Sequence, residues 1–244
     1  MSIVILFLVI LFNAIFYYCH WIIYHNTSIN TSHSTYGHLR QLSCEEWAFG
    51  MVPPNRLAVM LNFPITEAVR TDEDAERTRI AATPQQIDPS VFFCNQTIGN
   101  ACGTVGIIHA IAQAKQMVDL PLTGWLESFY KECEGKTPME RADIMENGEA
   151  ADELEELHEE AAADDENTSA VDANMNNHFI TFVVGNDNNL YECDGRKEWL
   201  VNHGKSSKET LLQDACNIIQ EKFFKRDPTE VNFAMTVLAS KGEE

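Results

Sequence analysis

The apolar positions of this chain change period several times, and each change marks an element. Residues 3–24 (IVILFLVILFNAIFYYCHWIIY) are apolar almost without interruption and hold no Asp, Glu, Lys or Arg. Residues 25–45 are polar, rich in Asn, Thr, Ser and His, and read as a linker. Residues 56–63 (RLAVMLNF) form a β-type run closed by Pro64. A short helix fits 65–80, a turn falls at Asp88-Pro89-Ser90, and 91–94 (VFFC) read as a strand. From Asn100 the period becomes 3.6: Val105, Ile108, Ile111 and Ala112 share one stripe, and Ile107 and Ala114 widen it. Such a helix should be central and buried. Further helices fit 122–133 and 138–145, and the Glu/Ala/Asp-rich stretch 146–173 reads as a mobile loop with transient helix around 152–162. Strands at 179–184 and 190–193 flank the five residues 185–189, the pattern of a hairpin. A helix at 207–224, ended by Arg226-Asp227-Pro228, and a strand at 233–238 close the chain. Helices mixed with antiparallel strands imply an α+β fold, a central antiparallel sheet flanked by helices.

Composition narrows the class. A chain of 244 residues fits one large domain, or one domain plus an appendage: 1–24 as hydrophobic segment, 25–45 as linker, 46–244 as the main domain. The formal charge of −20 argues against nucleic acid and permits a basic protein partner. Residues 140–172 hold fourteen Asp or Glu against the single base Arg141. The seven cysteines, Cys19, Cys44, Cys94, Cys102, Cys133, Cys193 and Cys216, form no CxxC pair, so a reducing compartment is expected, most of the thiols read as inert and buried, and no metal or cofactor is expected. Residues 3–24 are long enough to cross a bilayer and lack the positive start and cleavage site of a secretory signal. An uncleaved membrane anchor and a mis-assigned start remain the two readings of that run.

The candidate chemistry begins at Cys102. Small residues surround it, Gln96 precedes it by six positions, and a helix starts at once. A thiol nucleophile needs such a setting: room for a substrate, a helix N-terminus to favour thiolate, and an amide donor for an oxyanion. With a five-residue hairpin loop, Val184 opposes Leu190 and Asp194 opposes Ile180, diagonal to His178 on the same face. One imidazole nitrogen would then meet a carboxylate and the other a thiol. In this division of labour Cys102 attacks a carbonyl, His178 is the acid and base, Asp194 orients it, and Gln96 donates to the oxyanion.

These residues carry a resemblance. Gln96-Thr97-Ile98-Gly99-Asn100-Ala101-Cys102-Gly103-Thr104, His178-Phe179-Ile180, and Leu190-Tyr191-Glu192-Cys193-Asp194-Gly195-Arg196-Lys197 together are similar to the ubiquitin carboxyl-terminal hydrolase (UCH) family of papain-like cysteine peptidases. Phe63-Pro64-Ile65-Thr66 and Val201-Asn202-His203-Gly204 extend it over roughly residues 50–240. The resemblance implies a thiol-dependent deubiquitinase, acting through a thioester at the C-terminal glycine of ubiquitin. Its nucleophile would be Cys102, its oxyanion donor Gln96, its acid/base His178 and its orienting residue Asp194. It also implies that residues about 145–175 form a loop crossing over the active site, and that ubiquitin or its C-terminal adducts are the partner of a monomeric enzyme. The family's opening helix and outer strand are missing here, or replaced by the apolar run and linker. That departure leaves two alternatives: a ubiquitin-binding or sequestering protein with impaired hydrolysis, or a hydrolase for a ubiquitin-like modifier.

Asn26, Asn30, Asn95 and Asn167 each start a glycan acceptor pattern. A glycan on Asn95 would stand beside Gln96, and ubiquitin chemistry belongs to the cytosol. Both favour a cytoplasmic catalytic domain, anchored through 3–24 or soluble. His109 is expected to be a packed histidine, Cys94 and Cys193 core residues, and Tyr191 and Trp199 packing.

Overall fold

The computed structural model describes residues 3–6, 44, 49–50, 52–99, 101–148, 151, 177–230 and 232–240. Strands β1 (Ile3–Leu6), β2 (Asn55–Pro64), β3 (Asn177–Val184), β4 (Asn189–Cys193), β5 (Val201–Lys205) and β6 (Ala234–Ser240) form one antiparallel sheet in the order β1-β6-β2-β3-β4-β5. The helices are α1 (Glu67–Ala82), α2 (Cys102–Met117), α3 (Gly124–Glu132), α4 (Pro138–Asn147) and α5 (Leu211–Ile219), the last continued by one π turn, Gln220–Phe224. The α+β reading holds.

Alternation along the inner strands divides the core in two. Ala58, Met60 and Val183 face α2 and pack with Val105, Ile108 and Ile111, backed by Trp125 and Phe129 of α3. Val59, Leu61, Phe63, Ile180, Phe182 and Val184 face the other way, against Leu211, Leu212, Ala215 and Ile219 of α5. The central helix is as buried as its pattern requires: every residue of α2 from Cys102 to Ala114 is inside. Gly106 sets its distance from the sheet. A Cβ there would lie 3.0 Å from Met60 Cε, and the Thr181 hydroxyl donates to the Gly106 carbonyl at 2.8 Å. Thr66 caps α1 by accepting from the Val69 N–H, and Thr137 and Glu140 form a reciprocal capping box on α4.

The hairpin register is the expected one, with Val184 opposite Leu190 and Thr181 opposite Cys193. The loop itself is shorter than expected. Asn189 already belongs to β4, since it pairs with Lys205 and its carbonyl accepts the Gly185 N–H. Three other expectations need correction. Residues 91–94 are not a strand, because their polar groups bond to side chains instead: Cys94 N–H to His109 Nε2, and the Phe93 carbonyl from Arg141. Val201–Lys205 is an additional strand that its polar composition hides. Helix α5 starts at Leu211, not 207, because Ser207 and Thr210 exchange backbone-to-hydroxyl hydrogen bonds that occupy the preceding turn.

At the N-terminus, Ile3–Leu6 pairs with β6 and occupies the outer edge of the sheet. Four residues of the apolar run are therefore strand, and the remainder of 3–24 lies outside the described residues, as do Asn26, Asn30 and Asn167. Among the described residues no helix is long and apolar enough to cross a membrane. Most of the acidic stretch 145–175 also falls outside the described residues.

Candidate active site

Cys102 is the first residue of α2. The helix has no side-chain cap and no acidic residue in its first turn, so the positive end of its dipole falls on the thiol. Across the end of the sheet, His178 is the second residue of β3, away from the hairpin turn, and Asp194 follows directly on β4. Both are 2% exposed or less. His178 Nε2 donates to Asp194 Oδ1 at 2.6 Å. With Nε2 so engaged, Nδ1 is the nitrogen left for the thiol, and Cys102 and His178 each shift the other toward its charged form. The edge of the Phe63 ring meets the imidazole, with centroids 5.8 Å apart, and fixes its plane.

The electrostatics favour an ion pair. Burial pushes the Cys102 thiol up, but the hydrogen bond and charge of His178, with the N–H groups of Phe179 and Gly103, bring it below its ordinary value. Burial presses His178 down, yet Asp194 and Cys102 outweigh it and raise the imidazole to about 9. Asp194 is pushed up by burial and held lower on balance by His178, Lys197 and the Arg196 N–H. Both shifts thus run toward a thiolate–imidazolium pair. Cys94 and Cys133, raised to about 12 by burial, and Cys193, also raised, behave as core thiols. The described cysteines are all free and buried. Among the described residues no group of three or more His, Cys, Asp or Glu could hold a metal ion.

Gln96 stands against the turn that carries Asp194. Its backbone N–H donates to the Gly195 carbonyl at 2.7 Å, and its side-chain amide donates to the Ile98 carbonyl at 3.1 Å. Its Oε1 is buried with no partner. Gly195 must be small for this approach: a Cβ would sit 2.8 Å from Val105 Cγ1 and 3.1 Å from Gln96 Cβ. Asn95 is buried too and donates to the Lys197 carbonyl at 2.8 Å. In this fold its amide is a strut between the two halves of the site, and a glycan on Nδ2 would displace the bond to Lys197.

All four residues singled out in the sequence are thus brought to one end of the sheet, while His109 is not among them. His109 stacks on Phe93 inside the core, and burial lowers it to about 4, so it is neutral. Tyr191 is buried, its hydroxyl bonded to Asp187 and the Asp88 N–H, and is a packing residue. What the sequence reading missed lies behind Asp194: Glu76, Glu192, Lys197 and Lys222 form a nearly buried cluster of charges, with His203 bonded to Glu192. The signal was present. Glu192 shares a strand face with Asp194 between the buried Tyr191 and Cys193, where a carboxylate requires partners.

The family model described as ubiquitin carboxyl-terminal hydrolase, family 1, matches residues 37–224. The chain is 38% identical over 198 residues to ubiquitin carboxyl-terminal hydrolase isozyme L1 of Rattus norvegicus, covering 81% of this chain and 84% of that protein. It is 35% identical over 202 residues to a probable ubiquitin carboxyl-terminal hydrolase of Dictyostelium discoideum, covering 82% and 77%. Among solved structures, the catalytic domain of Trichinella spiralis UCH37 bound to ubiquitin vinyl methyl ester superposes with a TM-score of 0.57. The two are 19% identical, with 82% of this chain and 83% of that one covered, a likeness of fold.

Proposed function

The chain belongs to the ubiquitin carboxyl-terminal hydrolases of family 1, and on that premise we propose that it cleaves bonds at the C-terminal glycine of ubiquitin through a thioester on Cys102. The observation that carries this reading is the buried His178–Asp194 hydrogen bond at 2.6 Å, set beside a thiol at the start of α2 that His178 lowers.

The steps follow from the charges. The Cys102 thiolate attacks the glycine carbonyl carbon, and the carbonyl electrons move to oxygen. Gln96, through the amide N–H not given to Ile98, and the Cys102 backbone N–H stabilise that oxyanion. The His178 imidazolium gives its proton to the leaving amine as the carbon–nitrogen bond breaks, leaving the thioester. Neutral His178 then takes a proton from water, whose oxygen attacks the thioester, and the thiolate departs. Asp194 holds the ring with Nδ1 toward the sulfur and stabilises its charged form. No metal or cofactor enters these steps.

The acidic stretch about 145–175 supplies the crossing loop in this reading, restricting substrates to ubiquitin with small or flexible C-terminal adducts. Its charge favours encounter with a basic partner surface. A cytoplasmic catalytic domain fits the burial of Asn95, whose amide is taken up by the Lys197 carbonyl.

Purified wild type should release the fluorophore from a ubiquitin C-terminal amide reporter, and Cys102→Ala should not, with both folded by circular dichroism. Equal release by both would overturn the assignment. Binding of ubiquitin without any release by wild type would favour a sequestering role.

A further inference from the structure

Behind the catalytic carboxylate, two acids and two lysines form a closed ring. Lys197 Nζ lies 2.7 Å from Glu76 Oε2 and 2.5 Å from Glu192 Oε1. Lys222 Nζ lies 2.9 Å from Glu76 Oε1 and 3.0 Å from Glu192 Oε2. Each carboxylate thus divides its oxygens between the same two ammonium groups, and His203 Nε2 adds a bond to Glu192 Oε2 at 2.9 Å. The ring draws on α1, β4, β5, the turn after β4, and the π turn, whose wider winding follows α5 and carries Lys222. Glu192 is 1% exposed, so removing either lysine strands a buried charge.

Only one member of this ring also belongs to the turn that holds Asp194. The Lys197 N–H donates to the Asp194 carbonyl at 2.9 Å, and its own carbonyl accepts from Asn95 Nδ2 at 2.8 Å. Inside the turn the Arg196 N–H donates to Asp194 Oδ1, the oxygen that receives His178, and the Gly195 carbonyl accepts the Gln96 N–H. We propose that Lys197 is a positioning residue: its ammonium, seated between Glu76 and Glu192, holds the 194–197 turn so that Asp194 meets His178 and Gln96 meets the cysteine segment. This deepens the reading of the site as a cysteine hydrolase and rests on it.

The charge balance agrees with that role. Burial presses Lys197 toward the neutral form, but Glu192, Glu76 and Asp194 hold it protonated. Lys197 in turn lowers Asp194. The other ionisable groups around the turn are Glu73 of α1, which burial and Asp194 raise, Arg196, His178, His203 and Lys222. Without Lys197 the turn no longer holds Asp194 against His178, so the imidazolium, and with it the thiolate it supports, become less favoured. The acid limb of the pH profile moves to higher pH and the basic limb to lower pH.

Lys197→Met, Glu76→Gln and the double variant form the test. Lys197→Met leaves one carboxylate uncompensated, and Glu76→Gln in the double variant removes that excess. A positioning role predicts that the double variant regains melting temperature while kcat stays low, on the order of 10²-fold below wild type, with KM within about twofold. A second readout needs no ubiquitin: the rate of Cys102 alkylation by iodoacetamide against pH, followed by mass spectrometry of its peptide. That profile should move to higher pH in the double variant. Recovery of kcat and of the alkylation profile together with stability would show Lys197 to be purely structural and overturn the proposal. Should Lys197→Met fail to fold, the charge-balanced double variant carries the comparison. An inactive wild type with a shifted alkylation profile would instead count against ubiquitin hydrolysis and leave the positioning role standing.

Discussion

One oxygen of Asp194 serves two partners: Oδ1 accepts His178 Nε2 at 2.6 Å and the Arg196 N–H at 3.0 Å. The carboxylate is therefore held by its own turn before it meets the imidazole. Asp194→Ala removes both bonds and should lower kcat on the order of 10²-fold, since the ring loses its orientation. Asp194→Asn keeps an oxygen acceptor and loses the charge. It should retain more activity, but the imidazolium becomes less stable, so its basic limb falls to lower pH. Steady-state kinetics of both variants across pH check the pair.

The opposite shifts of Cys102 and His178 give the wild-type profile a defined shape. The value of kcat/KM should rise as pH climbs through the lowered Cys102 value and fall as pH passes about 9, where His178 loses its proton. Stability has its own signs. His178 is raised by folding, so its contribution is complete below its unfolded value of about 6.5 and is lost as pH rises through about 9. Asp194 is lowered by folding, so its contribution is complete above roughly 3.9 and is lost as pH falls through its folded value. The advantage of wild type over Asp194→Asn in urea midpoint should be largest between those limits. A constant advantage across pH would contradict the assignment of charges.

Gln96 should act on rate more than on binding. Gln96→Ala removes the side-chain donor and leaves the backbone bond to Gly195, so the turn stays in place. Loss of one oxyanion donor costs on the order of 10²–10³ in kcat. An unchanged kcat would leave the Cys102 backbone N–H as sufficient donor.

Gly195 tests the contact between the two halves of the site. In Gly195→Ala the new methyl meets Val105 Cγ1 at 2.8 Å and Gln96 backbone nitrogen at 3.2 Å, and neither neighbour is the free end of a flexible chain. Overpacking of this kind costs about 1–3 kcal/mol. The variant should lose melting temperature and also activity, because the turn that moves carries Asp194. Full activity with lowered stability would separate the turn's position from catalysis.

Much of this was legible in the pattern of residues. The long stripe through Val105, Ile108 and Ile111 marked α2 as central, and all its residues to Ala114 are buried. The hairpin register followed from Val184 and Leu190 alone, because a strand's two-residue period places His178 and Asp194 on one face once any pair is fixed. What escaped was set by long-range partners. Residues 91–94 have the composition of a strand, but Arg141 and His109 reach them from helices distant in sequence. Strand β5 contains Asn202, His203 and Gly204, residues that take strand form there because β4 supplies the ladder. The Lys197 ring joins residues 76, 192, 197 and 222, which no local period connects.

The central claim is that Cys102 is the nucleophile toward the ubiquitin terminus. The most direct measurement is exposure of the protein to ubiquitin carrying a C-terminal electrophile, followed by intact mass and peptide mapping. The account predicts one ubiquitin added per chain, with the bond at Cys102, no adduct on Cys102→Ala, and strongly slowed labelling of His178→Ala. Binding without an adduct, or an adduct mapped to another of the seven cysteines, would contradict it.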